Sequence, residues 1–214
     1  IGGSADLFVI GVDGTGLVQL TTDPANDVLG AFSPDGGKIA FASDRTGIGQ
    51  IYVMDADGSD VTQLTFDDAF KDQVPDWSPD GTRIAILVDD VDKFYAYDQA
   101  KLAVVPAGGG APTFLTPGLD RAVQNPTWTA DGQALVFSVE DDRAVWIGRV
   151  SAQGGAVEAL TTGRRVVSEP SLGKDGGIAV LASTPGGPGE VAALENGQLR
   201  PLSHQNDKLR DELA

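Results

Sequence analysis

Apolar and polar residues alternate over short stretches of the chain, with turn residues between the stretches. Ile84, Ile86 and Val88 occupy every second position of one stretch, as Ile51 and Val53 do in another. Side chains at every second position lie on the same face of a β-strand. The pattern therefore predicts short strands in sheets that pack face to face.

A Trp-Ser-Pro-Asp-Gly sequence at residues 77–81, followed by an apolar triplet at 84–86, is one of four related copies. The others read Phe-Ser-Pro-Asp-Gly at 32–36, Trp-Thr-Ala-Asp-Gly at 128–132 and, more weakly, Leu-Gly-Lys-Asp-Gly at 172–176. The turn aspartates of the copies, which are 45, 51 and 44 residues apart, are Asp35, Asp80, Asp131 and Asp175. The first position of the unit holds residues that we expect in the core between sheets, namely Phe32, Trp77, Trp128 and Leu172. Leu-Thr at 20–21, 64–65, 115–116 and 160–161, and Leu-Ser at 202–203, keep the same period. Two independent markers thus define one repeat.

Each repeat predicts four short antiparallel strands, because its glycines accept the positive φ that hairpin turns require. Four strands in every 40 to 50 residues, roughly, are typical of a β-propeller blade. We therefore expect an all-β chain with four complete blades and two strands of a fifth. The expected partial blade spans residues 5–22, and the complete blades span 23–66, 67–116, 117–161 and 162–203.

The two leading strands are left over in this count, because the last repeat already has four strands of its own. This indicates an incomplete part of a larger ring, while a closed ring of few blades remains the alternative, since propellers have about 4 to 8 blades. An open arc would expose unpaired edges, so self-association through open blade edges is expected.

Acidic residues outnumber basic ones, 31 to 15, which gives a formal charge of −16. This charge repels nucleic acids and anionic lipids. No apolar run approaches the roughly 18 residues that would span a bilayer. Nucleic-acid and membrane partners are therefore not expected. We expect a cytoplasmic protein, or a periplasmic or secreted one if a signal peptide has been removed before Ile1.

The chain offers no complete catalytic machinery. It has no Gly-x-Ser-x-Gly elbow and no cysteine, and its one histidine, His204, cannot form a serine-hydrolase triad alone. Residues 55–60 resemble a calcium loop, but Phe66 stands where the bidentate glutamate is required, which favours a hairpin turn. No catalytic residue, metal or cofactor is therefore expected, and catalysis inside the propeller channel is disfavoured.

Two arginines occupy equivalent positions in neighbouring repeats. The residue five positions before the first-strand proline, or before Gly30 in the first repeat, is in turn Ala25, Phe70, Arg121 and Arg165. Guanidinium groups bind carboxylates bidentately. Arg121, Arg165 and the adjacent Arg164 are therefore predicted to bind the C-terminal carboxylate of a peptide substrate. The alternative is ion pairing with the nearby Asp120 or Glu169.

The repeat resembles the TolB-type, WD40-like propeller repeat. The resemblance rests on Phe/Trp-Ser-Pro-Asp-Gly, then Ile-Ala-Phe at 39–41, Gln-Ile-Tyr-Val-Met-Asp at 50–55 and Gln-Leu-Thr at 63–65. It covers residues 5–203 and is specific for the fold rather than for a function. The Gly-His and Trp-Asp dipeptides of WD repeats are absent.

Residues 199–209 are similar to the segment that enters the hydrolase domain in serine peptidases of the prolyl oligopeptidase family, particularly the acylaminoacyl-peptidase branch. In that family a propeller of about seven or eight blades caps an α/β-hydrolase domain and admits only short peptides. The resemblance implies a substrate-gating, non-catalytic propeller, with residues 204–214 as the junction to an α/β-hydrolase domain and short peptides as substrates. The alternative is a free-standing TolB-like protein-binding scaffold.

Overall fold

The computed structural model describes residues 4–66, 70–90, 99–163, 165–184 and 187–207. Within these ranges, the regular elements are all β-strands. No helix of this part of the chain is long and apolar enough to cross a membrane.

The strands form five groups in chain order, and neighbours within each group pair antiparallel. The first group has two strands, β1 (Phe8–Val9) and β2 (Val18–Gln19). The first blade consists of β3 (Asp27–Phe32), β4 (Lys38–Ser43), β5 (Gln50–Asp55) and β6 (Thr62–Gln63). The second blade consists of β7 (Phe70–Trp77), β8 (Arg83–Asp90), β9 (Lys101–Pro106) and β10 (Thr113–Phe114).

The last two groups also have four strands each. The third blade consists of β11 (Val123–Trp128), β12 (Ala134–Asp141), β13 (Ala144–Ser151) and β14 (Glu158–Ala159). The fourth blade consists of β15 (Val166–Leu172), β16 (Ile178–Thr184), β17 (Gly187–Glu195) and β18 (Gln198–Pro201). A single parallel pair, Val145 with Val166, joins these two blades into one sheet. The prediction of four-stranded blades preceded by two further strands is confirmed.

The chain divides into two compact units. The first contains residues 1–98 and 102–114, and the second contains residues 99–101 and 115–214. The blade boundaries and the junction at 204–214 remain predictions from the sequence.

The Ser-Pro-Asp-Gly sequence forms the turn between the first two strands of a blade. In the second blade, Ser78 Oγ donates a 2.6 Å hydrogen bond to Asp80 and accepts one of 3.0 Å from the Arg83 N–H. Gly81 adopts a φ of 69°, which favours glycine. Ser33 with Asp35, and Thr129 with Asp131, form the same bond. The motif is therefore a structural turn signal.

The Leu-Thr marker also has a structural role. The hydroxyl of Thr65, a buried side chain, accepts a 2.9 Å hydrogen bond from the backbone N–H of Ile51 in β5. The outer strand β6 has only two residues, so this hydroxyl serves as acceptor where the strand has ended. The same 2.9 Å bond joins Leu7 to Thr21, Ile147 to Thr161 and Val191 to Ser203.

The first position of the repeat is buried in only some of the blades. Trp77 and Trp128 are 7% and 5% exposed, and Leu172 packs against the core that the third and fourth blades share. Phe32, by contrast, is 52% exposed, so the expectation that it lies in the core is wrong. Trp77 packs against the first blade, whereas the sheet preceding Phe32 consists of β1 and β2 alone.

Candidate functional site

The two equivalent arginines precede the first strands of the third and fourth blades. Arg121 lies just before β11 and Arg165 just before β15. The neighbouring Arg164 lies outside the described residues. The side chain of Phe70, the second-blade counterpart, is likewise outside them.

The guanidinium group of Arg121 is already engaged by two aspartates. Its Nε donates a 2.6 Å hydrogen bond to Asp141 at the end of β12. It also donates to the backbone carbonyl of Asp120 and lies 3.5 Å from that residue's carboxylate. The hydrogen bond with Asp141, followed by the attraction of its charge, raises the pKa of Arg121. The geometry of Arg121 agrees with the ion-pairing alternative in that Asp120 is a partner. Its closer partner, however, is Asp141, and Glu169 is not a partner of Arg121.

Arg165 lies in a different environment. Its side chain lines a cavity of about 350 Å³ formed by the fourth blade and the segment that follows it. Among the described residues, the guanidinium group has no carboxylate partner within salt-bridge distance. Ala182, Ala192 and Leu199 supply an apolar part of the cavity wall. The role of these arginines in substrate binding stays a prediction.

The polar wall of the cavity is centred on Glu190. Its carboxylate accepts hydrogen bonds from the hydroxyl of Ser203 and, at 2.6 Å, from the backbone N–H of Asn206. These bonds, that of Ser203 first, lower the pKa of Glu190, so the group is an anion at neutral pH. The side-chain amide of Asn206 donates to the carbonyl of Gly189 at 3.1 Å. Residues 203–206 are thus held against β17.

His204 and Asp207 stand at the rim of the same cavity. His204 Nδ1 lies 3.0 Å from Asp207 Oδ2, and the histidine side chain is 66% exposed. The hydroxyl of the adjacent Ser203 bonds to Glu190 rather than to the histidine. In the described part of the chain, these residues therefore do not form a nucleophile–base pair. No cluster of three or more potential metal ligands occurs in this part either.

A buried ion pair in the first blade escaped the sequence analysis. Arg45 donates to both carboxylate oxygens of the fully buried Asp27, at 3.0 and 3.1 Å, and also to Ser43. Its guanidinium carbon lies 4.6 Å from the ring centroid of Tyr52. The sequence did hold a signal for this buried carboxylate. Asp27 lies three residues before Gly30, and Asp72, which is also buried, lies three residues before Pro75 at the same position of the next repeat. The pair anchors the start of β3.

Residues 1–116 match the family profile described as the TolB beta propeller domain. Dipeptidyl-peptidase 5 of Porphyromonas gingivalis is 40% identical over 153 residues, which cover 68% of this chain and 22% of that protein. TolB from Acinetobacter baumannii has a similar structure, with a TM-score of 0.69 and 22% identity over 92% of this chain and 48% of the TolB chain. A puromycin-hydrolyzing peptidase of Mycobacterium tuberculosis gives a TM-score of 0.71 at 17% identity, over 95% of this chain and 36% of the peptidase.

These likenesses agree with the propeller fold, and the resemblance of the repeat to TolB-type sequences is confirmed. For four curated relatives, the chain spans between 9% and 46% of the length of the relative.

Proposed function

Because the chain belongs to the TolB beta-propeller family, we propose that it is the substrate-gating, non-catalytic propeller portion of a serine peptidase of the prolyl oligopeptidase type. The observation that carries this proposal is the 40% identity of this chain to a dipeptidyl-peptidase. Because this chain itself has no Gly-x-Ser-x-Gly elbow, its share of such a peptidase would be non-catalytic. Catalysis would then belong to an α/β-hydrolase domain of the same protein. An acylaminoacyl-peptidase or related exopeptidase acting on short peptides is the proposed activity, and the cytoplasm is the proposed compartment.

The packing of the blades supports the proposed gating role. Strands in the interior of each four-stranded sheet are paired on both sides, and the sheet faces bury apolar residues such as Ile84, Ile86 and Val88. No polypeptide can pass through such packed sheets, so a substrate would have to enter by an opening that the blades leave free. A narrow opening would admit short peptides and exclude folded proteins. The propeller would therefore select substrates by size before they reach the catalytic serine.

The proposal is tested on the full gene product with a fluorophosphonate probe, which labels activated serines. We expect one labelled serine outside residues 1–214, and no labelling of the 214-residue chain expressed alone. Peptides that share one cleavage sequence but differ in length should show kcat/KM values at least about tenfold lower for the long ones. A gene product without a reactive serine, or with no dependence on peptide length, contradicts the proposal.

A free-standing TolB-like scaffold is the second candidate, favoured by the family match over residues 1–116. Such a protein would bind another protein rather than cleave peptides. It predicts a gene product that the probe leaves unlabelled, together with a stable protein complex in size-exclusion chromatography at physiological salt. A labelled serine would exclude this candidate.

A further inference from the structure

The cavity of the fourth blade presents groups of opposite charge beside an apolar wall. Arg165 supplies a guanidinium group and Glu190 supplies a carboxylate. The apolar wall includes the side chains of Ala182, Ala192 and Leu199. We propose that this cavity binds a small zwitterion, such as a dipeptide with free ends, whose carboxylate pairs with Arg165 and whose ammonium group lies towards Glu190. This inference goes beyond the proposed function, because the ligand would bind the propeller itself, independently of a catalytic domain.

The guanidinium group of Arg165 is available to a ligand because no carboxylate of the described residues pairs with it. Its counterpart in the preceding blade, Arg121, is paired with Asp141 and Asp120, whereas Arg165 has no such pair among the described residues. A guanidinium group presents five N–H donors in a planar fork that matches the two oxygens of a carboxylate. The two equivalent positions therefore differ in their capacity for a ligand.

The anionic side is held in place before a ligand arrives. Ser203 and the backbone of Asn206 each donate one hydrogen bond to Glu190, which fixes its carboxylate. An ionised carboxylate has about four lone-pair positions, so it can accept a further bond from an ammonium group. The side-chain amide of Asn206 donates to the carbonyl of Gly189, so the residue whose backbone bonds to Glu190 is itself fixed.

The size of the cavity limits the ligand. Its volume of about 350 Å³ lies at the lower end of the range of about 300–1,000 Å³ that is usual for small-molecule sites. The apolar wall is made of alanine, leucine and proline side chains, which suits a small aliphatic side chain. A dipeptide such as Ala-Ala combines both charges with that apolar surface in a compact molecule.

Calorimetric titration of the 214-residue chain with Ala-Ala at neutral pH tests the proposal. We expect saturable binding, and a dissociation constant at least about tenfold larger for Ala-Ala amide, which lacks the carboxylate, and for N-acetyl-Ala-Ala, which lacks the ammonium group. Arg165→Gln should weaken the binding of Ala-Ala about tenfold without changing the binding of the amide. Arg200→Gln is the matched control, because Arg200 belongs to the same blade but is paired with Glu195 and does not line the cavity. It should leave both ligands unaffected.

Circular dichroism of each variant excludes misfolding as the cause of a loss. Absence of binding by the wild-type chain at tens of millimolar Ala-Ala, as an approximate upper limit, overturns the proposal. Equal binding of Ala-Ala and its amide, or equal losses in the Arg165 and Arg200 variants, also overturns it. None of these results depends on whether the full gene product is a peptidase, which the serine probe decides separately.

Discussion

The indole N–H of Trp77 donates a 3.0 Å hydrogen bond to the backbone carbonyl of Ala31, which belongs to the first strand of the preceding blade. The bond joins side chain to backbone across two neighbouring sheets, and Trp77 packs in the core that they share. The aromatic residue of the repeat therefore fixes the distance between adjacent blades as well as filling space.

Trp77→Phe should remove this bond and part of the buried surface. We expect the free energy of unfolding to fall by about 1–3 kcal/mol, because the Ala31 carbonyl would be left without its partner and a cavity would remain. Urea unfolding followed by circular dichroism measures the change. Trp146→Phe is the control, since the Trp146 side chain is only partly buried and its indole N–H makes no hydrogen bond in the described part of the chain. Equal losses for both variants would contradict the prediction.

Thr65→Val should destabilise the first blade although it preserves the size of the side chain. The substitution leaves the buried Ile51 N–H without an acceptor, which costs about 1–3 kcal/mol. Thr65→Ser retains the hydroxyl and should lose clearly less. Thr62→Val, at an exposed position of β6 just before Thr65, is the control for replacing a threonine by valine in this segment. Thermal unfolding of the three variants checks the order.

The turn of the second blade should give stability a specific dependence on pH. The hydroxyl of Ser78, then the N–H and hydroxyl of Thr82, lower the pKa of Asp80 from 3.8 to about 2. A carboxyl group with a lowered folded-state pKa contributes stability above its unfolded pKa and loses it as protonation proceeds. The contribution of Asp80 is therefore complete above about pH 4 and disappears as the pH falls through about 2.

Ser78→Ala should raise the pKa of Asp80 towards its ordinary value, because the strongest hydrogen bond to the carboxylate is lost. Carbon-13 NMR of the aspartate carboxyl groups follows the titration. Asp131 is an internal reference, because the hydroxyl of Thr129, followed by the N–H of Gln133, lowers its pKa in a turn that the substitution does not touch. An unchanged titration of Asp80 in the variant would show that the hydroxyl does not set its pKa.

Arg45→Met should be among the most destabilising single substitutions in the first blade. It leaves the carboxylate of Asp27 buried without its cation, a change that typically costs about 3–5 kcal/mol. Asp27→Asn combined with Arg45→Met should recover part of this loss. Lys38→Met removes an exposed ion pair with Asp55 and should have little effect. Urea unfolding of these three variants and of the wild-type chain tests whether burial decides the cost.

The repeat predicted the strands and the turns because its signals are local. The hydroxyl and carboxylate of Ser78 and Asp80 are two residues apart, so their contact follows from the turn itself. The exposure of Phe32 and the engagement of Arg121 are not local. Phe32 and Trp77 share a motif position, yet the sheet on the neighbouring side decides which of them is buried. Arg121 and Arg165 also share a position, but Asp141, twenty residues further along the chain, determines which guanidinium group is engaged.

The backbone carbonyl of Arg165 accepts a 3.1 Å hydrogen bond from the N–H of Val145, in the third strand of the preceding blade. The residue whose side chain lines the fourth-blade cavity is therefore tethered at its main chain to another blade. A ligand bound to the guanidinium group would restrain Arg165 and, through this hydrogen bond, the strand of the third blade that carries Val145. Exchange of the Val145 amide hydrogen with deuterium should therefore slow when the cavity is filled.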